Sequence, residues 1–119
     1  MVRAVRGAIQ VDEDSREAIW SAASRLVGGM LAANRLEESD IVSLVFSMTG
    51  DLQAGNPAAG IRRTGFADTP LFCVQEAEVS GAMPRVIRAL LTFNARGRAR
   101  PVAVYLDGAE TLRPDLAGK

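Results

Sequence analysis

The 119-residue chain contains no histidine. A serine or cysteine nucleophile activated by histidine within one chain is therefore excluded. A single cysteine, Cys73, rules out an internal disulfide and any zinc site built on several cysteines. The only lysine is the last residue, Lys119, so every other cation is an arginine. Formal net charge is zero. That removes the simplest case for nucleic acid or an acidic membrane as partner, because both need a basic excess. No stretch approaches the ~20 apolar residues of a membrane span. Met1 to Gln10 carries arginines and no long apolar run, so it does not read as a signal peptide. These absences predict a reduced, cytoplasmic protein that works without metal or cofactor.

What is present describes an ordinary folded domain. The composition is 48% hydrophobic and 24% charged, which argues against disorder. The length fits one domain over residues 1–119, with a modest core. The arginine preference has two readings that composition does not separate. It follows from codon bias, or from selection for the planar, permanently charged group that grips carboxylates with two prongs.

Hydrophobic periodicity predicts the elements. Val2 to Val11 reads as a strand, with Val5, Ile9 and Val11 on one face around Gly7, and Ala4, Arg6 and Ala8 on the other. Arg6 thus has small neighbours that leave space beside its guanidinium. Asp14 and Glu17 have capping-box spacing. Ile19, Ala22, Ala23, Leu26, Val27, Met30 and Leu31 then follow helical spacing to about Asn34. Gly28 and Gly29 interrupt that helix at about 1 kcal/mol each, a cost that a close helix–sheet contact would offset. Ile41 to Met48 is apolar on both parities and predicts a strand buried on both faces. Thr49 to Gly55 is a turn-rich loop. Asn56 and Pro57 read as the N-cap and first position of a short helix ending near Gly65. Thr69 to Val74 reads as a strand, and Glu76 to Pro84 as a loop. Val86 to Phe93 fits helical spacing yet is short and bounded by loops, so helix and strand both remain open. Val102 to Leu106 is a strand, and Leu112 to Lys119 a partly ordered tail. The sum is an α+β domain, one mixed sheet with a helix layer.

With histidine and metal clusters gone, the groups left for chemistry are Arg6, Arg88, Glu76 and Tyr105, on or beside strands. Held on rigid elements, they would form a site of cations, one carboxylate and hydrogen-bond donors without an obvious general base. Such a site suits a dianionic substrate and a reaction driven by electrostatics and shape. Each residue also has an ordinary reading. Cys73 packs well as a small buried hydrophobe. Arg6, Arg88, Arg62 and Arg113 serve equally as surface charges. Tyr105 suits a core or interface, and Glu76 a solvated loop.

Five segments together narrow the choice. Val5-Arg6-Gly7-Ala8, Cys73-Val74-Gln75-Glu76, Val86-Ile87-Arg88, Val104-Tyr105-Leu106 and Leu112-Arg113-Pro114-Asp115-Leu116 occur in the order and approximate spacing of the trimeric bacterial chorismate mutases. The chain resembles that family over essentially its whole length. The resemblance implies a mixed five-stranded sheet with a long helix packed on it. It also implies a homotrimeric pseudo-α/β barrel with active sites between subunits, and the cofactor-free conversion of chorismate to prephenate in the shikimate route to aromatic amino acids. It favours the strand reading of Val86 to Phe93. It further implies that Arg88 binds near the ether oxygen and a substrate carboxylate, and that Arg6 and Tyr105 hold carboxylate oxygens. Glu76 and Cys73 would meet the ring-hydroxyl side, with Phe72, Val74 and Gln75 beside them. Arg62 and Arg113 would lie on mobile edges. Asn56, where the family often has an aromatic, Ala59, where it often has lysine, and the large Phe72 depart from the pattern at the mouth of the site. A non-catalytic binding paralogue, a trimeric imine deaminase of similar architecture and a structural trimerisation module are the competing readings.

Overall fold

The first strand, β1, spans Val2–Gln10, and its alternation divides the whole molecule into two sides. The computed structural model describes residues 1–116. After β1 come α1 (Arg16–Ala33), β2 (Ile41–Met48), α2 (Pro57–Arg62), β3 (Leu71–Gln75), β4 (Val86–Asn94) and β5 (Val104–Leu106). The five strands form one sheet in the order β3-β2-β4-β1-β5. β4 pairs antiparallel with both β1 and β2, whereas β3 and β5 add parallel edges. The segment with two readings is therefore the central strand. Pairing on both sides satisfies its backbone, and this settles what the spacing of Val86 to Phe93 left open.

One face of the sheet is covered by α1. Ile19, Ala22, Ala23, Leu26, Val27 and Met30 pack against Val5, Ile9, Leu44, Phe46, Ile87 and Leu91. The other face is open except near β5, where Ala109, Leu112 and Leu116 gather over Ala8, Val86 and Tyr105. β2 accordingly departs from its reading as a strand buried on both faces. Leu44 and Phe46 are buried, but Val45 and Ser47 are only half-buried on the uncovered side. Apolar residues on both parities here report an apolar face that this single chain leaves bare.

The ends of the elements differ from the periodicity in three informative places. The cap of α1 is Ser15, whose hydroxyl accepts from the Ala18 N–H at 3.1 Å. Asp14 instead accepts from the N–H groups of Gln53 and Ala54 at 2.8 and 2.9 Å, tying the loop after β2 to the start of the helix. β5 begins at Val104 because the Val102 backbone is already engaged with the Asn34 side chain at the end of α1, by bonds of 2.7 and 3.0 Å. β3 begins at Leu71 because Pro70 has no N–H to donate and the Thr69 N–H turns back to Phe66. Asn56 caps α2 as expected, accepting from the Ala58 N–H at 2.9 Å. Leu112 closes a short 3-10 turn, while residues 117–119 of the expected tail lie outside the described residues.

The close helix–sheet contact falls on Gly7 of the strand. A Cβ there would stand 2.8 Å from Met30 Sδ and 3.0 Å from the Val104 carbonyl oxygen. Gly28, by contrast, is exposed and a Cβ would meet nothing within 4 Å. Gly28→Ala should therefore raise stability by about 0.5–1 kcal/mol through helix propensity alone. A denaturant midpoint that fails to rise would show that this position has another constraint.

Candidate active site

The strand register builds the site. Ser47 on β2 lies opposite Arg88 on β4, Arg88 opposite Ala8 on β1, and Ala8 opposite Tyr105 on β5. These four residues form one row across the open face. Ala8 is the small member, so a trough is left between Arg88 and Tyr105. The next row contains Val45, Leu90 and Arg6. A cavity of about 380 Å³ sits over both rows, lined by Arg6, Ser47, Arg88, Leu90, Tyr105 and Arg113 among others. Polar groups thus converge on one face of the sheet, whereas single-end convergence is the commoner arrangement in open parallel sheets.

Each charge in this cavity has a distinct state. Arg88 forms an ion pair with Glu76, with Nε 2.9 Å from Oε1. Its terminal guanidinium nitrogens have no hydrogen-bond partner among the described residues. Arg6 and the Tyr105 hydroxyl likewise have none. Arg113 is held by Asp115, with contacts of 2.7 and 3.0 Å, and this bond draws the Asp115 carboxyl below its ordinary range. Glu76 stands beside the cavity just past the end of β3, against Ser47 and Arg88, and its N–H donates to the Met48 carbonyl at 2.8 Å. The result is a cationic, donor-rich recess with the carboxylates of Glu76 and Asp115 beside it, fit to take an anionic ligand.

The position of Arg88 has its own support. Arg85, three residues earlier, has a left-handed backbone with φ of 53°. Its N–H donates to both Asp51 carboxylate oxygens at 3.0 and 3.1 Å, while Thr49 Oγ1 accepts from the Val86 N–H at 3.0 Å. Thr49 and Asp51 together pin the start of β4. Neither residue stood out in the turn-rich loop, although a Thr-x-Asp spacing between two strands carries the necessary side-chain acceptors.

The remaining residues implied by the resemblance lie elsewhere in the single chain. Phe72 and Val74 are exposed on the open face but on β3, the far edge of the sheet. Cys73 and Gln75 alternate to the helix side, where Cys73 packs against the core and burial pushes its thiol up, away from the thiolate a nucleophile needs. Arg62 lies on α2 and donates to the carbonyls of Phe66 and Ala67, both at 3.4 Å. At about 4.8 Å per strand, β3 and β5 are roughly 19 Å apart, too far for one small ligand to touch both edges. Asn56 and exposed Ala59 belong to the same β3-side group. Asn56 also accepts from Trp20 Nε1 at 3.0 Å through its carbonyl, so its cap helps dock α2 on α1. No helix among the described residues is long and apolar enough to cross a membrane.

Comparison with known proteins converges on one group. Residues 2–116 match the family model for chorismate mutase type I. A chorismate mutase AroH of Thermus thermophilus is 42% identical over 118 residues, covering 98% of this chain and 97% of the relative. The AroH of Bacillus subtilis is 33% identical over 119 residues, covering 98% of this chain and 94% of the relative. A solved chorismate mutase structure from Clostridium thermocellum superposes with a TM-score of 0.88 at 34% identity, covering 92% of this chain and 98% of that one. The mixed five-stranded sheet and its long helix are thus the family's fold, and this chain belongs to the type I chorismate mutases.

Proposed function

We propose that this chorismate mutase completes each active site from two copies of the chain. One copy supplies Arg6, Glu76, Arg88, Tyr105 and Arg113, and the other supplies its β3–α2 edge with Phe72, Cys73, Val74, Gln75 and Arg62. The observation that carries this reading is the uncovered sheet face. It holds Arg6, which has no partner among the described residues, on the same face as exposed Phe72, Val74 and Leu90, a combination of apolar area and open charge that calls for a protein cover and an anionic ligand. A homotrimer closed by three such contacts leaves no copy with its β3 edge unused.

The reaction is the rearrangement of chorismate to prephenate. The enolpyruvyl side chain folds over the ring, a C–O bond breaks and a C–C bond forms within one molecule. No proton has to move and no covalent intermediate is needed. A histidine-free cavity is sufficient for such a step. Arg6, Tyr105 and Arg113 fix the two carboxylates, so orientation is met by binding. As the C–O bond lengthens, the ether oxygen gains negative charge and the ring becomes more positive. The free end of the Arg88 guanidinium serves the first change and Glu76 the second.

The direct test is to mix purified protein with chorismate and follow loss of its ultraviolet absorbance and appearance of prephenate. Light scattering coupled to size exclusion should give the mass of three chains, and treatment with a chelator should leave the rate unchanged. An active monomer would overturn the shared site.

A further inference from the structure

We infer that Ser47 is a positioning residue that sets which oxygen of Glu76 is available for the reaction. The inference rests on Glu76 serving the site as proposed above. Ser47 Oγ donates to Glu76 Oε1 at 2.6 Å, the sole hydrogen bond to that carboxylate among the described residues, and Arg88 Nε lies 2.9 Å from the same oxygen as an ion pair. Oε1 is thus engaged twice. Oε2 accepts no hydrogen bond among the described residues and is left to meet a ligand.

The hydrogen bond and the ion pair do not hold Glu76 equally well. Arg88 is long, about half exposed, and needed for the ligand at its other end. Ser47 has a single side-chain rotor and sits on β2, paired with Arg88 of β4 on one side and Val74 of β3 on the other. A hydroxyl on an interior strand is a rigid reference point. Glu76 itself stands where β3 gives way to the loop that continues to Pro84; its N–H is held by the Met48 carbonyl, which fixes the backbone but not the side-chain torsions that aim the carboxylate. A hydroxyl-to-carboxylate bond of this length is charge-assisted and among the stronger kinds. Ser47 also lines the cavity. It is therefore placed to hold Glu76 at a fixed distance from the reacting ring without touching the reacting atoms.

The shape-matched pair Ser47→Thr and Ser47→Val tests this, because the two variants differ in the hydroxyl and hardly in volume. Ser47→Thr should keep turnover within about threefold of the parent, whereas Ser47→Val should lose roughly 10- to 100-fold in kcat with a smaller change in KM, as expected for a bond to a charged group. The same pair is then made in Glu76→Ala. Acting through Glu76, the hydroxyl should there be worth less than about twofold, with unfolding midpoints of Thr and Val variants alike in both backgrounds. An equal Thr-to-Val gap with and without Glu76, or no gap in the parent, would overturn the inference. Parent-like turnover of Glu76→Ala alone would instead remove Glu76 from the site, and the positioning role with it.

Discussion

Arg88→Ala should abolish most turnover while leaving the fold intact. A planar cation at the ether oxygen interacts more strongly as the C–O bond lengthens, so it stabilises the transition state more than the bound substrate. Removing one preorganised donor of this kind costs about 2.7–4 kcal/mol, or roughly 10²–10³ in turnover. The loss should reach at least that size, because the vacated site admits water and leaves a substrate carboxylate unpaired. Arg88→Lys should be poor as well. Nε of the guanidinium is ion-paired with Glu76 and the side chain also lines the cavity, and a compact ammonium cannot span both tasks. The fold should survive, since the side chain projects from the uncovered face and its ion pair is half-exposed, worth about 1 kcal/mol or less. Turnover, circular dichroism and assembly mass should be read together. Near-normal turnover in Arg88→Ala would remove the residue from the mechanism. Activity lost only along with the assembly would assign it to subunit contact.

Phe72→Asp should convert the protein to single chains without turnover. Phe72 is 58% exposed on the open face, on the edge strand farthest from Arg6 and Tyr105. In an assembly that buries this edge, an unpaired carboxylate costs about 3–5 kcal/mol. That lowers the association constant roughly a hundred- to several-thousand-fold per contact. The single chain should stay folded, because its core lies on the opposite face under α1. Light scattering at micromolar concentration, with turnover measured on the same sample, decides the matter. A three-chain mass with parent-like activity would show that Phe72 lies outside both the contact and the site.

These two residues also show what the sequence could and could not convey. Arg88 was legible only through its company. Alone, an arginine within an apolar run of uncertain type says little, but five short segments in family order placed it on a strand and beside a substrate. The long helix was legible from its spacing, and Asn56-Pro57 from capping chemistry. What eluded periodicity was set by partners distant in the chain. Asp14 lost the cap to Ser15 because residues 53 and 54 claim its carboxylate. Val102 was kept out of β5 by Asn34. The alternation of Ser43, Val45 and Ser47 within β2 did carry a sign that one face is not core, yet the apolar bulk of the strand obscured it. That Cys73 and Gln75 face away from Arg88 within one chain follows from strand parity, but only once the strand is known to run on to Gln75 and not to stop at Val74.

The strand order bears on how the chain comes to be folded at all. β1 is made first, yet its two neighbours are β4, beginning at Val86, and β5, beginning at Val104. Until residue 94 has been added, the sole ladder that can form is the parallel pair of β2 and β3, and α1 has no finished surface to cover. Loop-closure entropy must therefore be met over most of the chain before any central pairing rewards it, which places folding among the slower two-state domains. Core and candidate site face are the two sides of the same late-arriving strand, so neither can be completed before residue 94. During synthesis the apolar runs of β1 and β2 stay unpaired for tens of residues, and it is then, more than after assembly, that this protein is open to aggregation.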